Sequence, residues 1–198
     1  DDVFAIQDEI SLAIVDALKV HLLGDVPIVS GNKTTNMDAY NAYLIGLERL
    51  NLDTEEDEKA AIEKFKEAIS LDPNFAAAHA QLAIAVMALG NEEPAILEPL
   101  VMRDIEKALA LDSNSAEAIY ARGRVHAMRE RYEVAIADYN RAITINPSYA
   151  LAYLGRSRVY REQHKYLKML ADTEKAYALD PMDIDLSAGL ASDYRRFW

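Results

Sequence analysis

The chain has 198 residues, about half of them apolar, with 33 acidic side chains against 21 basic ones, a formal net charge of −12 and no cysteine. So acidic a chain repels a phosphate backbone, because nucleic-acid binding draws on clustered Lys and Arg, and the lack of cysteine excludes disulfide frameworks and thiolate metal sites. No apolar run approaches the roughly 20 residues of a membrane span, and 7 glycines and 6 prolines among abundant Ala, Leu, Glu and Lys predict a largely helical protein. The charge is uneven: residues 1–99 carry 6 basic and 19 acidic side chains, residues 100–198 carry 15 and 14.

In chain order, residues 1–24 predict one amphipathic helix, since Val3, Ile6, Ile10, Ile14 and Leu18 recur at three- and four-residue steps. The start at Asp1-Asp2, with neither a Met nor a basic-then-apolar leader, reads as a fragment or a processed product without a signal peptide. Cytoplasm is the expected compartment, although a chain without cysteine suits the periplasm equally well. Pro27, Gly31, Asn32 and Asn36 mark residues 25–36 as a linker.

Helix pairs are expected from Met37 onward, at about 37–52 and 54–71, 75–90 and 94–111, 115–129 and 131–146, and 149–163 and 165–180. Thr54 is the expected N-cap of the second helix, with Asp57 three residues on. Asp72-Pro73 ends the first pair, because proline disfavours helical geometry at the residue before it. Gly90 closes a helix and Pro94 suits a first helical position. The second pair carries six residues more than the third and fourth, expected to lengthen the turn around Asn91–Pro99. Residues 184–198 are expected to form a capping helix with a wet outer face, into which Phe197 and Trp198 do not fit.

From Ala116 to Pro181 the chain repeats itself. Pro147 and Pro181 lie 34 positions apart, as do Arg122 and Arg156, Arg124 and Arg158, Tyr132 and Tyr166, and Ala142 and Ala176. A fixed period of this size marks units too small to bury their own apolar faces, which stack on their neighbours to do so. The third unit, AEAIYARGRVHAMRERYEVAIADYNRAITINPSY, resembles the tetratricopeptide repeat (TPR), with Gly123, Ala135, Tyr139, Ala142 and Pro147 at the eighth, twentieth, twenty-fourth, twenty-seventh and thirty-second positions. The first unit keeps Gly46, Ala61, Phe65, Ala68 and Pro73. The second keeps Leu82, Ala83 and Ala108 but has Val101 for alanine and Ser113 for proline. The fourth keeps Tyr160, Ala176 and Pro181 but has Ser157, Met169 and Thr173 where Gly, Ala and an aromatic are usual. The resemblance, over residues 37–183, implies an all-α fold: a right-handed superhelical solenoid of four TPR-like hairpins. The amino-terminal stretch followed by DAYNAYLIGLERLN is similar to bacterial multidomain signalling proteins, in which such an array follows a cyclase or winged-helix domain. On that likeness residues 1–24 are the tail of an upstream domain.

Catalytic chemistry is not signalled. His21, His79, His126 and His164 lack metal-ligand spacing, no phosphate-binding glycine loop is present, and runs such as Glu55–Glu58 read as a solvated face. No enzyme activity, cofactor or metal is expected. The resemblance implies instead a concave wall lined by the first helix of each pair, at positions two, five, nine and twelve. Those positions hold Glu117, Tyr120, Arg124 and Ala127 in the third unit and Leu151, Leu154, Arg158 and Arg161 in the fourth. Tyr120, Arg124, Leu151, Leu154, Arg158 and Arg161 are therefore the expected contacts for a protein or peptide partner. Because guanidinium groups bind carboxylates through parallel hydrogen bonds, an acidic partner suits them.

Two readings of these arginines stand side by side at this stage, partner binding and internal pairing with Glu117, Glu130 or Glu162. The Lys and Asn residues of the carboxylate clamp that holds chaperone tails are not matched, for Ala80, Ala121 and Gly155 stand at the relevant places. The apolar stripe of residues 1–24 has three alternatives: packing on its own array, lying in the groove, or pairing in a homodimer. The competing function is accordingly a structural one, dimerising and spacing upstream domains. Small side chains where the helices cross let the backbones approach, so Ala135→Leu or Ala142→Leu is expected to overpack and destabilise by about 1–3 kcal/mol in denaturant unfolding.

Overall fold

The computed structural model describes residues 34–52, 54–90 and 93–181. The helix expected at 1–24, most of the linker at 25–36 and the capping helix at 184–198 lie outside the described residues. The described chain forms eight helices: α1 (Met37–Leu50), α2 (Glu55–Leu71), α3 (Ala76–Leu89), α4 (Pro94–Leu111), α5 (Ala116–Met128), α6 (Tyr132–Ile145), α7 (Ala150–Glu162) and α8 (Tyr166–Leu179). No strand occurs among the described residues. Consecutive helices pack as four hairpins, and the second helix of each hairpin also meets the first helix of the next, giving an all-α repeat solenoid.

Local chemistry sets the ends of these helices. Thr54 Oγ1 accepts the N–H of Asp57 at 3.1 Å and donates to its carboxylate at 2.6 Å, so two groups at the helix start satisfy each other. Between hairpins the chain turns the same way three times. Asp72, Asp112 and Asn146 accept the N–H of Asn74, Asn114 and Ser148 at 2.9, 2.9 and 3.0 Å, while their own N–H groups close on the carbonyls of Ala68, Ala108 and Ala142. A side chain that bonds two residues ahead makes a turn by itself. That is why Ser113 can replace the usual proline without altering the connection.

One expectation is corrected. The six extra residues of the second unit do not mainly lengthen a turn, because α4 is 18 residues long against 14 for α6. Four of the six thus add about one helical turn. Pro94 sits in the first turn of α4, where its missing N–H costs no intrahelical bond, and the added turn is anchored by the buried Leu97. Glu98 on the same turn pairs with Arg129 just past α5.

Within each hairpin the two helices meet through the eighth and twenty-fourth repeat positions. In the first unit these are Gly46 and Phe65, in the third Gly123 and Tyr139. A Cβ on Gly46 would lie 2.6 Å from the Phe65 ring, and one on Gly123 would lie 2.8 Å from the Tyr139 ring. In the second unit the same two places hold Ala83 and Ile105, both buried. In the fourth they hold Ser157 and Thr173, whose hydroxyls share a hydrogen bond of 2.7 Å inside the core.

A second series links the helices electrostatically. Asp104, Asp138 and Asp172, spaced by 34, are all buried. Arg122 holds Asp138 with two bonds, of 3.0 and 2.6 Å, and Arg156 holds Asp172 with two of 2.7 Å while also reaching Asn140. Asp104 has His79 instead, at 2.9 Å, whose other ring nitrogen faces the Pro73 carbonyl at 3.1 Å. Burial by itself would raise the Asp104 carboxyl, but His79 and Arg103 together hold it below the usual carboxylate range.

The first helices of units two, three and four end in the left-handed region, at Gly90 (φ 59°), Glu130 (φ 56°) and His164 (φ 57°). Only at Gly90 does the residue suit the backbone, since an L side chain in this region is strained. Two opposite outcomes follow for denaturant unfolding. Glu130→Gly raises stability by about 1 kcal/mol through relief of that strain, whereas Gly155→Ala, whose Cβ would meet the Tyr139 ring at 2.8 Å, lowers it by about 1–3 kcal/mol.

Candidate functional site

The inner wall is built from the first helices of the hairpins, and part of it is filled by its own tyrosines. Tyr120 on α5 is only 3% exposed. Its ring lies 5.9 Å from that of Tyr139 and 5.3 Å, edge to face, from that of Tyr149. Burial pushes the phenols of Tyr139 and Tyr149 well above the usual range, with Arg124 and Arg158 opposing at Tyr139 and Arg124 at Tyr149. Tyr43 on α1 is raised in the same way by burial, with Glu117 and Tyr40 adding to it.

A hollow of about 240 Å³ remains between α5, α6 and α7. Tyr120, Arg124, Ala127 and Met128 enter it from α5, Tyr132 and Tyr139 from α6, and Gly155, Arg158, Val159 and Glu162 from α7. Its position follows from the glycine: the Tyr139 ring lies against Gly155, and no side chain on Gly155 reaches over it. The floor is thus aromatic and aliphatic, and the charged groups stand at the sides.

Of the six residues expected to contact a partner, the structure brings Tyr120, Arg124 and Arg158 together in this hollow. Leu151 is half-buried against the main core, Leu154 is half-buried, and neither lines it. Arg161 is exposed, 3.8 Å from its chain neighbour Glu162. Tyr120 contributes as floor, with little surface of its own. Sequence reasoning passed over the α6 contribution, Tyr132 and Tyr139, because it considered only the first helix of each hairpin. The signal was present in the pairing of Tyr132 with Tyr166 at the repeat spacing.

The two arginines, equivalent by the repeat, are not equivalent in the structure. Arg124 Nη2 donates to the Met87 carbonyl at 3.2 Å. Met87 lies in the last turn of α3, where carbonyls have no partner within the helix, so Arg124 caps α3 and ties the second hairpin to the third. The counterpart of Met87 in the third unit is Ala127, whose carbonyl already accepts the N–H of Glu130 at 2.9 Å. Arg158 makes no hydrogen bond or ion pair among the described residues. It is exposed at the edge of the hollow. Internal pairing with Glu117, Glu130 or Glu162 is made by neither Arg124 nor Arg158.

This asymmetry is measurable. Arg124→Ala removes a charged hydrogen bond between hairpins and is expected to cost about 1 kcal/mol of stability. Arg158→Ala, at an exposed and unpaired position, is expected to change it by less than about 0.5 kcal/mol. Paired urea titrations compare the two.

Comparison with known proteins agrees with the geometry. A family model described as a TPR repeat matches residues 123–163, which span the Gly123–Tyr139–Gly155 contact and both wall arginines. Among solved structures, a MamA protein is 26% identical with a TM-score of 0.50, the match covering 80% of this chain and 81% of that one. A thermophilic TPR protein of Thermus thermophilus is 20% identical at a TM-score of 0.64, covering 81% and 84%. The pilF protein of Pseudomonas aeruginosa is 24% identical at 0.57, covering 82% and 71%. At these identities the last two speak for the fold alone. No curated protein matches the sequence. In fold over about four fifths of its length, and in sequence over residues 123–163, the chain is thus similar to the tetratricopeptide-repeat proteins.

Proposed function

We propose that the chain is a protein-interaction scaffold and that the hollow between α5, α6 and α7 receives an acidic segment of a partner polypeptide. The observation that supports this most directly is Arg158, an exposed guanidinium with no acceptor of its own among the described residues, beside an aromatic and aliphatic floor. A guanidinium fork fits a carboxylate through two parallel hydrogen bonds, and the floor excludes water from the pair. Arg124 adds a second positive charge although one of its donors is engaged. Leu151, Leu154 and Arg161 extend the same wall along α7. The likeness of the amino-terminal stretch to bacterial multidomain signalling proteins supports a place for this scaffold in a larger cytoplasmic signalling chain.

The test is fluorescence anisotropy with two sets of labelled ten-residue peptides, acidic and neutral. Acidic peptides are expected to bind more tightly, and Arg158→Glu to weaken them at least tenfold without lowering the melting temperature, in line with the about 1.5–3 kcal/mol of a charged hydrogen bond. Equal binding of both sets, or indifference to the Arg158 substitution, would overturn the proposal.

A further inference from the structure

The hollow has a negative side as well as a positive one. Arg158 and Glu162 both line it from α7, one helical turn apart. Side chains four apart on a helix are within reach of each other, yet no ion pair joins these two in the structure. The order works against pairing, since an acidic residue preceding a basic one is the favourable arrangement on a helix and here the basic one comes first. Among the described residues the ion contact of Glu162 is with Arg161 at 3.8 Å, and both side chains are about half exposed. Across from it stands Tyr132, the first residue of α6, whose phenol is pushed up by desolvation and by the charges of Glu130 and Glu162. Glu162 thus brings negative charge beside the Tyr132 ring, while Arg124 and Arg158 bring positive charge to the same hollow.

Resting on the proposed function, we infer that the segment this hollow recognises is dipolar: a carboxylate meets Arg158 while an ammonium or guanidinium two residues away meets Glu162 and the face of Tyr132. The spacing comes from geometry. One helical turn on the wall spans about 5.4 Å, and side chains at i and i+2 of an extended strand point the same way about 6.6–6.8 Å apart. Adjacent residues point to opposite sides and fail the match. A cation over the ring of Tyr132 gains from its negative face as well as from the carboxylate. The reading therefore specifies alternation, acidic–any–basic, in a segment bound extended.

Three kinds of peptide on a neutral framework decide it, carrying one Glu and one Lys at i,i+2, one Glu and one Lys at i,i+1, or Glu alone, each titrated against the wild-type chain, Arg158→Glu and Glu162→Lys. Both orders of the charged pair are included. Glu162 and Arg158 are exposed, and thermal melts confirm that the variants are folded. The i,i+2 peptide is expected to bind about three- to tenfold more tightly than the other two. Glu162→Lys is expected to erase that preference while leaving the Glu-only peptide bound, and Arg158→Glu to weaken all three. Should acidic peptides bind through Arg158 with no regard for the lysine or for Glu162, the dipolar inference falls and the acidic-segment reading stands. If no peptide binds, or Arg158→Glu changes nothing, both fall.

Discussion

The contact on which the best-formed part of this solenoid depends is a tyrosine ring held between two glycines. Tyr139 leaves α6 and lies against Gly123 of its own hairpin and Gly155 of the next, each at a distance that a single methyl group would violate. The ring is 1% exposed, so it cannot turn aside to make room. It therefore sets three spacings together: α5 to α6, α6 to α7 and, through them, α5 to α7. The hollow exists because α5 and α7 are held at a separation filled below by this ring and by nothing above Gly155.

The other hairpins solve the same packing problem with different chemistry. Phe65 over Gly46 repeats the ring-on-glycine arrangement at the start of the array. Ser157 and Thr173 replace it at the far end, where a hydroxyl pair sits in the core and satisfies itself at 2.7 Å, Thr173 donating to the Met169 carbonyl as well. Buried hydroxyls are tolerated only when bonded. The departure of both residues from the usual pattern is accordingly one coordinated change, and replacing Thr173 by an apolar residue alone leaves the Ser157 hydroxyl without that partner. The buried aspartates at spacing 34 show a similar substitution of partners, with arginine in two units and histidine in one.

The two wall arginines differ where the hydrogen bonding departs from the repeat. Were Arg124 and Arg158 identical in surroundings, both would cap the preceding helix and the wall would be electrostatically closed. Glu130 at the end of α5 donates its backbone N–H to the Ala127 carbonyl, the counterpart of the Met87 carbonyl that Arg124 caps. Arg124 is thus bonded to the preceding hairpin, whereas Arg158 has no hydrogen bond or ion pair among the described residues. The tyrosines that fill much of the remaining wall leave that charge at the edge of a small hollow with an aromatic floor.

The helices, their order and their pairing were legible in the residues, because periodicity, caps and turn residues act over a few positions along the chain. Asp72-Pro73, Thr54 and Gly90 each mark an end that the structure places within a residue or two. The start of the second unit's second helix at Pro94 was legible, but most of the unit's extra residues lengthen that helix, with Leu97 buried beneath, and not the turn around Asn91–Pro99 to which they are assigned from the sequence. The arginine pair stood out in the repeat. What the residues could not convey was that one arginine is bonded to the preceding hairpin while its twin has no such bond among the described residues, that Tyr120 is floor and not surface, and that α6 supplies two tyrosines to the hollow. Those depend on distances between side chains on different helices, and only the packed helices set such distances. The sequence by itself determined a stack of helical hairpins with arginines on one wall; the tertiary structure alone decided which of those arginines is bonded to a neighbouring hairpin, because that depends on which backbone carbonyls come within reach in the folded stack.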